Sequence, residues 1–439
     1  MFLEKNNSRS SLLAKNIFAS FLVKGWSAIV VLLMVPLTLK MLGIYTNGVW
    51  LTISSILMWI DLMDIGLGNG LRNAVAKHVA MNNNEKVRQD ISSTFFMLFV
   101  IIIPLLFIFY FIICCCDMYS MLGIDRGRIQ HLNKILVVAT TLASSTFIFK
   151  SVGNFYMGMQ LPAVNNLIVC LGQTTAMVLT YIAYMEGCHS LFAVVIINTA
   201  APLSLWLLSI PYTFGVKYPQ YCPSFRCVDL GVSKSLFSAG VQFFIIQVCG
   251  VILFMSTNII ISRLFSPAEV TPYQIAYRYF NMAIVIFTIV CMPFWNATTD
   301  AYTRGDLQWI HKAGKRLDFL VFLSFIGLTI MVAISNFVYE IWVGSEVTIP
   351  IEMSASMALY LFVLIASMRY SYILNGVNVL RIQLIYTISA TIVFLPLAYV
   401  ACDVFPSVTT LILVMCIVNI PGLIANAWKY YQIFYNKSQ

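Results

Sequence analysis

ISSTFFMLFVIIIPLLFIFYFIICCC, residues 91–116, contains no Asp, Glu, Lys or Arg. Three further runs, 187–216, 382–402 and 404–428, are equally free of charge. Each is long enough for the roughly 20 residues that carry a helix across a bilayer core. The runs are continuously apolar and do not alternate at every second residue, which implies helices and not barrel strands. Of 439 residues 60% are hydrophobic and only 10% charged, with a mean hydropathy of +0.87. Soluble proteins are about a quarter charged, so most of this surface must face lipid. The expected fold is an all-α polytopic membrane protein.

Hydropathy and chain breakers together give twelve spans, near 17–40, 46–67, 92–113, 134–155, 163–185, 190–213, 237–262, 273–297, 318–343, 353–375, 383–402 and 407–428. Short loops on the cytoplasmic side of a membrane are enriched in Lys and Arg. With the N-terminus inside, eighteen basic residues fall in cytoplasmic segments and five in outer ones. Both termini are therefore expected in the cytoplasm. The segment near 17–42 is too long for a signal-peptide core and is expected to stay as the first span.

The chain also reads as two halves. A non-periodic stretch with two prolines, GVKYPQYCPSFRCVDLGVSKS at 215–235, separates six spans from six. The expected division is an N-terminal lobe at 1–214, a cytoplasmic linker at 215–236 and a C-terminal lobe at 237–439. Two breaks match across it, GNFYMGMQLPAVNN at 153–166 and LNGVNVLRIQ at 374–383, with Gly158 and Gly376 lying 218 residues apart. The second span runs on into NAVAKHVAMNNNEKVRQ and the eighth into NATTDAYTRGDLQWIHKAGKR. Each reads as a polar helical extension that turns, at Asn-Asn or Gly-Asp, into a basic stretch. Duplicated six-helix halves are a transporter architecture, with the substrate path at the repeat interface.

WIDLMDIGLGNGLRNAVAKHV, residues 59–79, ends the second span and carries Asp61 and Asp64 on one helix face. An aspartate inside a span costs roughly 2.5–3.5 kcal/mol on insertion scales and needs a partner or a wet cavity. Lys24, Asp61 and Arg369 all lie about 9–12 Å inside the expected cytoplasmic boundary at 1.5 Å per residue. Two readings follow: a structural Lys24–Asp61 salt bridge, or a charged vestibule serving substrate binding or gating. Arg278 either lines that vestibule or snorkels, and Asp64 lies near enough to the span end to be solvated. Trp50, Trp59, Trp295 and Trp342 fit an interfacial belt, with Trp59 beside Asp61 the best placed to meet a substrate. Gly66, Gly68 and Gly70 permit close helix approach or a sharp exit from the membrane.

Other classes find little support. The formal net charge of +9 is explained by basic loops on one side, without a nucleic-acid partner. The 11 cysteines form no Cys-x-x-Cys pair near histidines, so no metal or other cofactor is expected. No Gly-x-x-x-x-Gly-Lys-Ser/Thr is present. His78, His189 and His311 fall outside the spans.

DIGLGNGLRN, Asp64 to Asn73, resembles the signature of Wzx-type O-antigen flippases, in the polysaccharide-transporter branch of the multidrug/oligosaccharidyl-lipid/polysaccharide exporter superfamily. YMGMQ at 156–160, PFWNATTDAYTRGD at 293–306 and NGVNVLRIQ at 375–383 resemble the same family. The resemblance implies a V-shaped, two-lobed carrier with a central lumen in the bacterial inner membrane. It implies flipping of undecaprenyl-diphosphate-linked oligosaccharide units from the cytoplasmic to the periplasmic leaflet. It also implies that Lys24, Arg278 and Arg369 line the lumen, and it makes a polysaccharide polymerase and a chain-length regulator candidate partners.

The chemistry is compatible with that reading. Arg and Lys suit phosphate, and Lys24, Arg278 and Arg369 place three cations within the spans against Asp61 and Asp64. A doubly anionic head leaving an inside-negative cell gains roughly 4–5 kcal/mol per 100 mV. A cation-coupled multidrug exporter would need carboxylates deep in one lobe, and spans three to six hold none. A membrane polymerase or ligase would need catalytic groups in a large outer loop. The longest, near 114–133, offers no acid/base constellation. The protein is thus expected not to be an enzyme.

Overall fold

A computed structural model describes residues 2–62, 67–229, 249, 256–377, 379 and 381–434; side chains are described from residue 23, except at some helical positions including Lys24 and Asp61. Every regular element among these residues is helical. The elements are α1 (Phe2–Leu62), α2 (Leu67–Ala80), α3 (Asn84–Cys115), α4 (Met118–Leu122), α5 (Leu132–Phe149), α6 (Ser151–Gly158), α7 (Pro162–Met185) and α8 (Leu191–Ile210). After them come α9 (Pro267–Thr303), α10 (Leu307–Ala333), α11 (Ser335–Val343), α12 (Ile351–Gly376), α13 (Arg381–Val404) and α14 (Val408–Phe434).

Among the described residues ten helical stretches are long and apolar enough to cross a membrane. One of them, Gly25–Ile60, is 36 residues, or about 54 Å of helix, against a hydrocarbon core of about 30 Å. It is broken at Gly43, whose φ of 71° and ψ of 171° leave the helical region. A residue without Cβ is what that backbone favours, and the sequence breaks there between its first two expected spans. The seventh expected span, 237–262, lies mostly outside the described residues.

The chain divides into two compact units, Met1–Phe244 and Ile245–Gln439. In the first, α7 packs on α1 and α8, α5 on α3 and α8, and α2 on α3 and α6. In the second, α12 packs on α9, α10 and α14, and α13 on α14. The outward faces are apolar: Phe107, Phe111, Leu208, Ile286, Phe319 and Ile392 are all exposed. That inversion suits lipid as the solvent. Several hydroxyls inside the spans bond to their own helix, as with Thr140 on the Leu136 carbonyl and Thr180 on that of Ala176.

Lipid gives helices no hydrophobic reason to associate, so close packing has to supply the attraction. The glycines of the first break serve that need. A Cβ on Gly158 would lie 2.8 Å from the Arg72 carbonyl oxygen and 2.8 Å from Val75 Cβ. One on Gly153 would collide with Asn165 and Trp206. α6 thus nests against α2, around buried Leu71, Val75, Phe155, Tyr156 and Trp206.

Both polar hairpins form as the sequence predicts. Between α2 and α3, Asn82 turns at a φ of 54° and the Asn83 side chain accepts from the Lys86 amide. Between α9 and α10, Gly305 turns at a φ of 74° and Asp306 accepts from the Trp309 amide. The stretch read as a linker is tied down as far as Asp229. Arg88 Nε donates to the Cys222 carbonyl at 2.7 Å, and the amides of Ser224 and Asp229 donate to Ser92 and Ser93. The rest of it, 230–236, lies outside the described residues.

Candidate functional site

The charged centre of the second unit is Arg369 on α12, with 2% of its surface exposed. Its Nε donates to Asp318 Oδ1 at 2.6 Å and its Nη2 to Oδ2 at 2.8 Å. Two parallel bonds from a planar fork form the strongest kind of side-chain ion pair. Asp318, on α10, keeps 52% of its side chain exposed, so water reaches the pair from the carboxylate side. The Tyr370 and Tyr430 rings cover the guanidinium, their centroids 4.2 and 4.3 Å from its carbon. Gly314 lies one turn before Asp318, where a Cβ would meet Arg369 Nη2 at 3.2 Å and collide with the Tyr430 hydroxyl.

One nitrogen of the fork is unused. Arg369 Nη1 is buried and has no acceptor among the described residues. A buried charge-assisted donor left unsatisfied is costly, and an anionic oxygen would satisfy it. Breaking a buried pair from the carboxylate side typically costs about 3–5 kcal/mol. Asp318 was not legible as the partner: it stands 51 positions from Arg369 at the edge of an expected span. The Gly314-x-x-x-Asp318 spacing, which leaves a gap beside the carboxylate, is the local signal that marks it.

The other site residues are distributed as follows. The side chains of Lys24 and Asp61, on α1, and all of Asp64 lie outside the described residues, as does the side chain of Trp295. Arg278, on α9, is half-buried and has no ion-pair partner among the described residues. Trp59, on α1, is partly buried, and its Nε1 is buried without an acceptor among the described residues. His78 on α2 meets Asp90 on α3 at 2.6 Å, with Asp90 fully buried. That pair joins the two arms of the first hairpin, and sequence spacing had not linked the two residues.

Each unit also holds a cavity. One of about 410 Å³ in the first unit is edged by Arg128, His131, Lys134 and His189. One of about 370 Å³ in the second lies among α9, α12, α13 and α14 and is lined by amides, hydroxyls and tyrosines together with aliphatic side chains such as Ile284, Leu364 and Val418, and among the described residues by no charged side chain. Among the described residues no group of three or more His, Cys, Asp or Glu could hold a metal ion.

A family model described as polysaccharide biosynthesis protein matches residues 13–294, well over half of the chain. The chain belongs to that family. The member described here is 23% identical over 378 residues to a Salmonella typhi protein that carries the provisional name O-antigen transporter, a match spanning 83% of each chain. A multidrug resistance MATE transporter of the MOP superfamily, solved in an inward-facing conformation, is similar in structure with a TM-score of 0.76 at 16% identity, over 94% of each chain. A MATE protein in complex with MaL6 is similar at a TM-score of 0.63 and 15% identity, over 96% of this chain and 97% of that one. These likenesses show the fold. Every regular element among the described residues of this family member is helical, and its multi-pass membrane fold is that of these transporters.

Proposed function

We propose that the protein flips undecaprenyl-diphosphate-linked oligosaccharide units from the cytoplasmic to the periplasmic leaflet of the bacterial inner membrane. The observation that carries the reading is the buried, tyrosine-covered guanidinium of Arg369, fixed by Asp318 and keeping the two N–H groups of Nη1 without an acceptor among the described residues, in a member of the polysaccharide biosynthesis family. A diphosphate offers Nη1 an anionic acceptor, and the half-exposed Asp318 leaves a route for exchanging one partner for the other. In this reading Lys24 and Arg278 add positive charge to the path, Asp61 and Asp64 tune it, and the indole N–H of Trp59 meets a substrate oxygen. Two six-span lobes alternate access to the substrate, both termini lie in the cytoplasm, and polymerase and chain-length regulator act downstream.

Deletion of the gene in its source bacterium tests the reading. Surface polysaccharide is expected to disappear while lipid-linked units accumulate in the cytoplasmic leaflet, and wild-type protein restores both. Unchanged polysaccharide together with heightened drug sensitivity would overturn it in favour of a multidrug exporter. Accumulation of single units already in the periplasmic leaflet would point to a polymerase or ligase instead.

A further inference from the structure

We propose that the cavity of the C-terminal unit is a subsite for an uncharged, hydroxyl-rich sugar ring, which on the reading above belongs to the transported unit. Its volume of about 370 Å³ falls in the range of small-molecule sites. Among the described residues no Asp, Glu, Lys, Arg or His lines it. A phosphate would find no cation there, and an ammonium no carboxylate, which makes burying either one costly.

The hydrogen-bonding pattern asks for donors. Asn426 is 5% exposed; its Nδ2 donates to Ser367 and Ser371, both at 3.3 Å, while its Oδ1 is buried without a donor among the described residues. Two more lining amides each commit one N–H to the protein. Asn419 Nδ2 donates to the Met415 carbonyl at 2.7 Å, and Gln383 Nε2 to Asn375 Oδ1 at 2.9 Å across the break that ends α12. Asn426 thus asks for a donor while Asn419 and Gln383 each keep a second N–H, and a sugar hydroxyl both donates and accepts.

The remaining lining suits the other half of a pyranose. Tyr277 and Tyr386 contribute rings that are apolar in body and polar at the tip, beside aliphatic Ile284 and Val418. A lipid tail in the same space would strand Asn426 Oδ1 and desolvate the other amides for nothing in return.

Saturation-transfer NMR on the full-length protein in nanodiscs tests the subsite. The probes are neutral hexoses, N-acetylhexosamines and their disaccharides, with tetraphenylphosphonium as a cationic probe. At least one neutral sugar is expected to bind, with about tenfold weaker binding in Asn426→Leu, which removes the acceptor. Gly422→Leu fills the cavity and keeps every polar group. Among the described residues a Cβ there meets Tyr386 Cβ at 3.8 Å, an ordinary contact, and the variant, its melting temperature matched to wild type, is expected to lose the same sugar signal. Silence from every sugar, or sugar binding undiminished in Gly422→Leu, overturns the proposal, as does tetraphenylphosphonium alone occupying the cavity. Sugar binding in a protein whose deletion leaves surface polysaccharide intact would sink the flippase reading and keep the subsite. Loss of polysaccharide on deletion, with no sugar bound, would do the reverse.

Discussion

The two units invite comparison because the sequence gives them matching devices and the interior chemistry differs. Each has a polar hairpin with a capped turn, and each breaks at a glycine that ends a helix, Gly158 or Gly376. Around the first break the interior is closed by rings: Phe155 lies 5.4 Å from Phe214 and 5.6 Å from Tyr218, and Tyr156 bonds Thr213 at 2.9 Å. Beside the second break lies a neutral polar cavity, and Gln383 reaches back to Asn375 along its edge. The buried ion pairs differ in the same sense. His78–Asp90 fastens neighbouring helices of one hairpin, whereas Arg369–Asp318 joins helices far apart in sequence and leaves its carboxylate half in water. Similar topology thus carries different polar chemistry: the cavity of the first unit is edged by Arg128, Lys134 and two histidines, and that of the second, among the described residues, by neutral side chains. The half-wet Arg369–Asp318 pair and the neutral cavity are what the second unit offers a ligand.

The sharpest way to break this contrast is Asp318→Asn. It leaves the Arg369 charge buried and unpaired, and a loss of about 3–5 kcal/mol is expected, read as a fall in melting temperature in detergent and in membrane abundance. Removing both charges, Arg369→Leu with Asp318→Leu, is expected to restore abundance and still fail to complement a deletion strain. Full complementation by the double variant would reduce the pair to a structural clamp.

His78→Ala strands buried Asp90 and is expected to destabilise by about 1–3 kcal/mol. Its transport should fall only in proportion to the protein present; a loss of rate per molecule would move function into the first hairpin. Gly158→Ala forces a methyl against the Arg72 carbonyl and Val75, with about 1–3 kcal/mol expected from overpacking. A melting temperature equal to wild type would show that α6 yields to the methyl. The smallest effect belongs to Gly422→Ala, where the new methyl meets open cavity. Helix propensity alone predicts stabilisation of up to about 1 kcal/mol, and destabilisation would mean that the space is already filled.

Hydropathy made the helical, membrane-spanning fold legible because lipid imposes one rule on every span: backbone groups must bond within the helix and the outer face must be apolar. The turns were legible too, since Asn82, Gly305 and Asp306 act through local backbone geometry. Arg369 stood out as a charge in a span, but its depth suggested company with Lys24 and Asp61, and depth says nothing about which helix lies alongside. The cavity amides drew no notice in the sequence, because a lone Asn or Gln in a span carries no period and no charge.

What the sequence by itself determined was therefore the solvent each segment must face and where the chain can turn, both decided within a few neighbouring residues. Only the tertiary structure decided that Asp318 and two tyrosines enclose Arg369, and that four helices leave a space edged by carbonyl oxygens. Apart from Tyr370, the next residue to Arg369, the decisive partners meet across 50 positions or more. The energy of a buried polar group is fixed by the partner it finds there, and not by its neighbours in the chain.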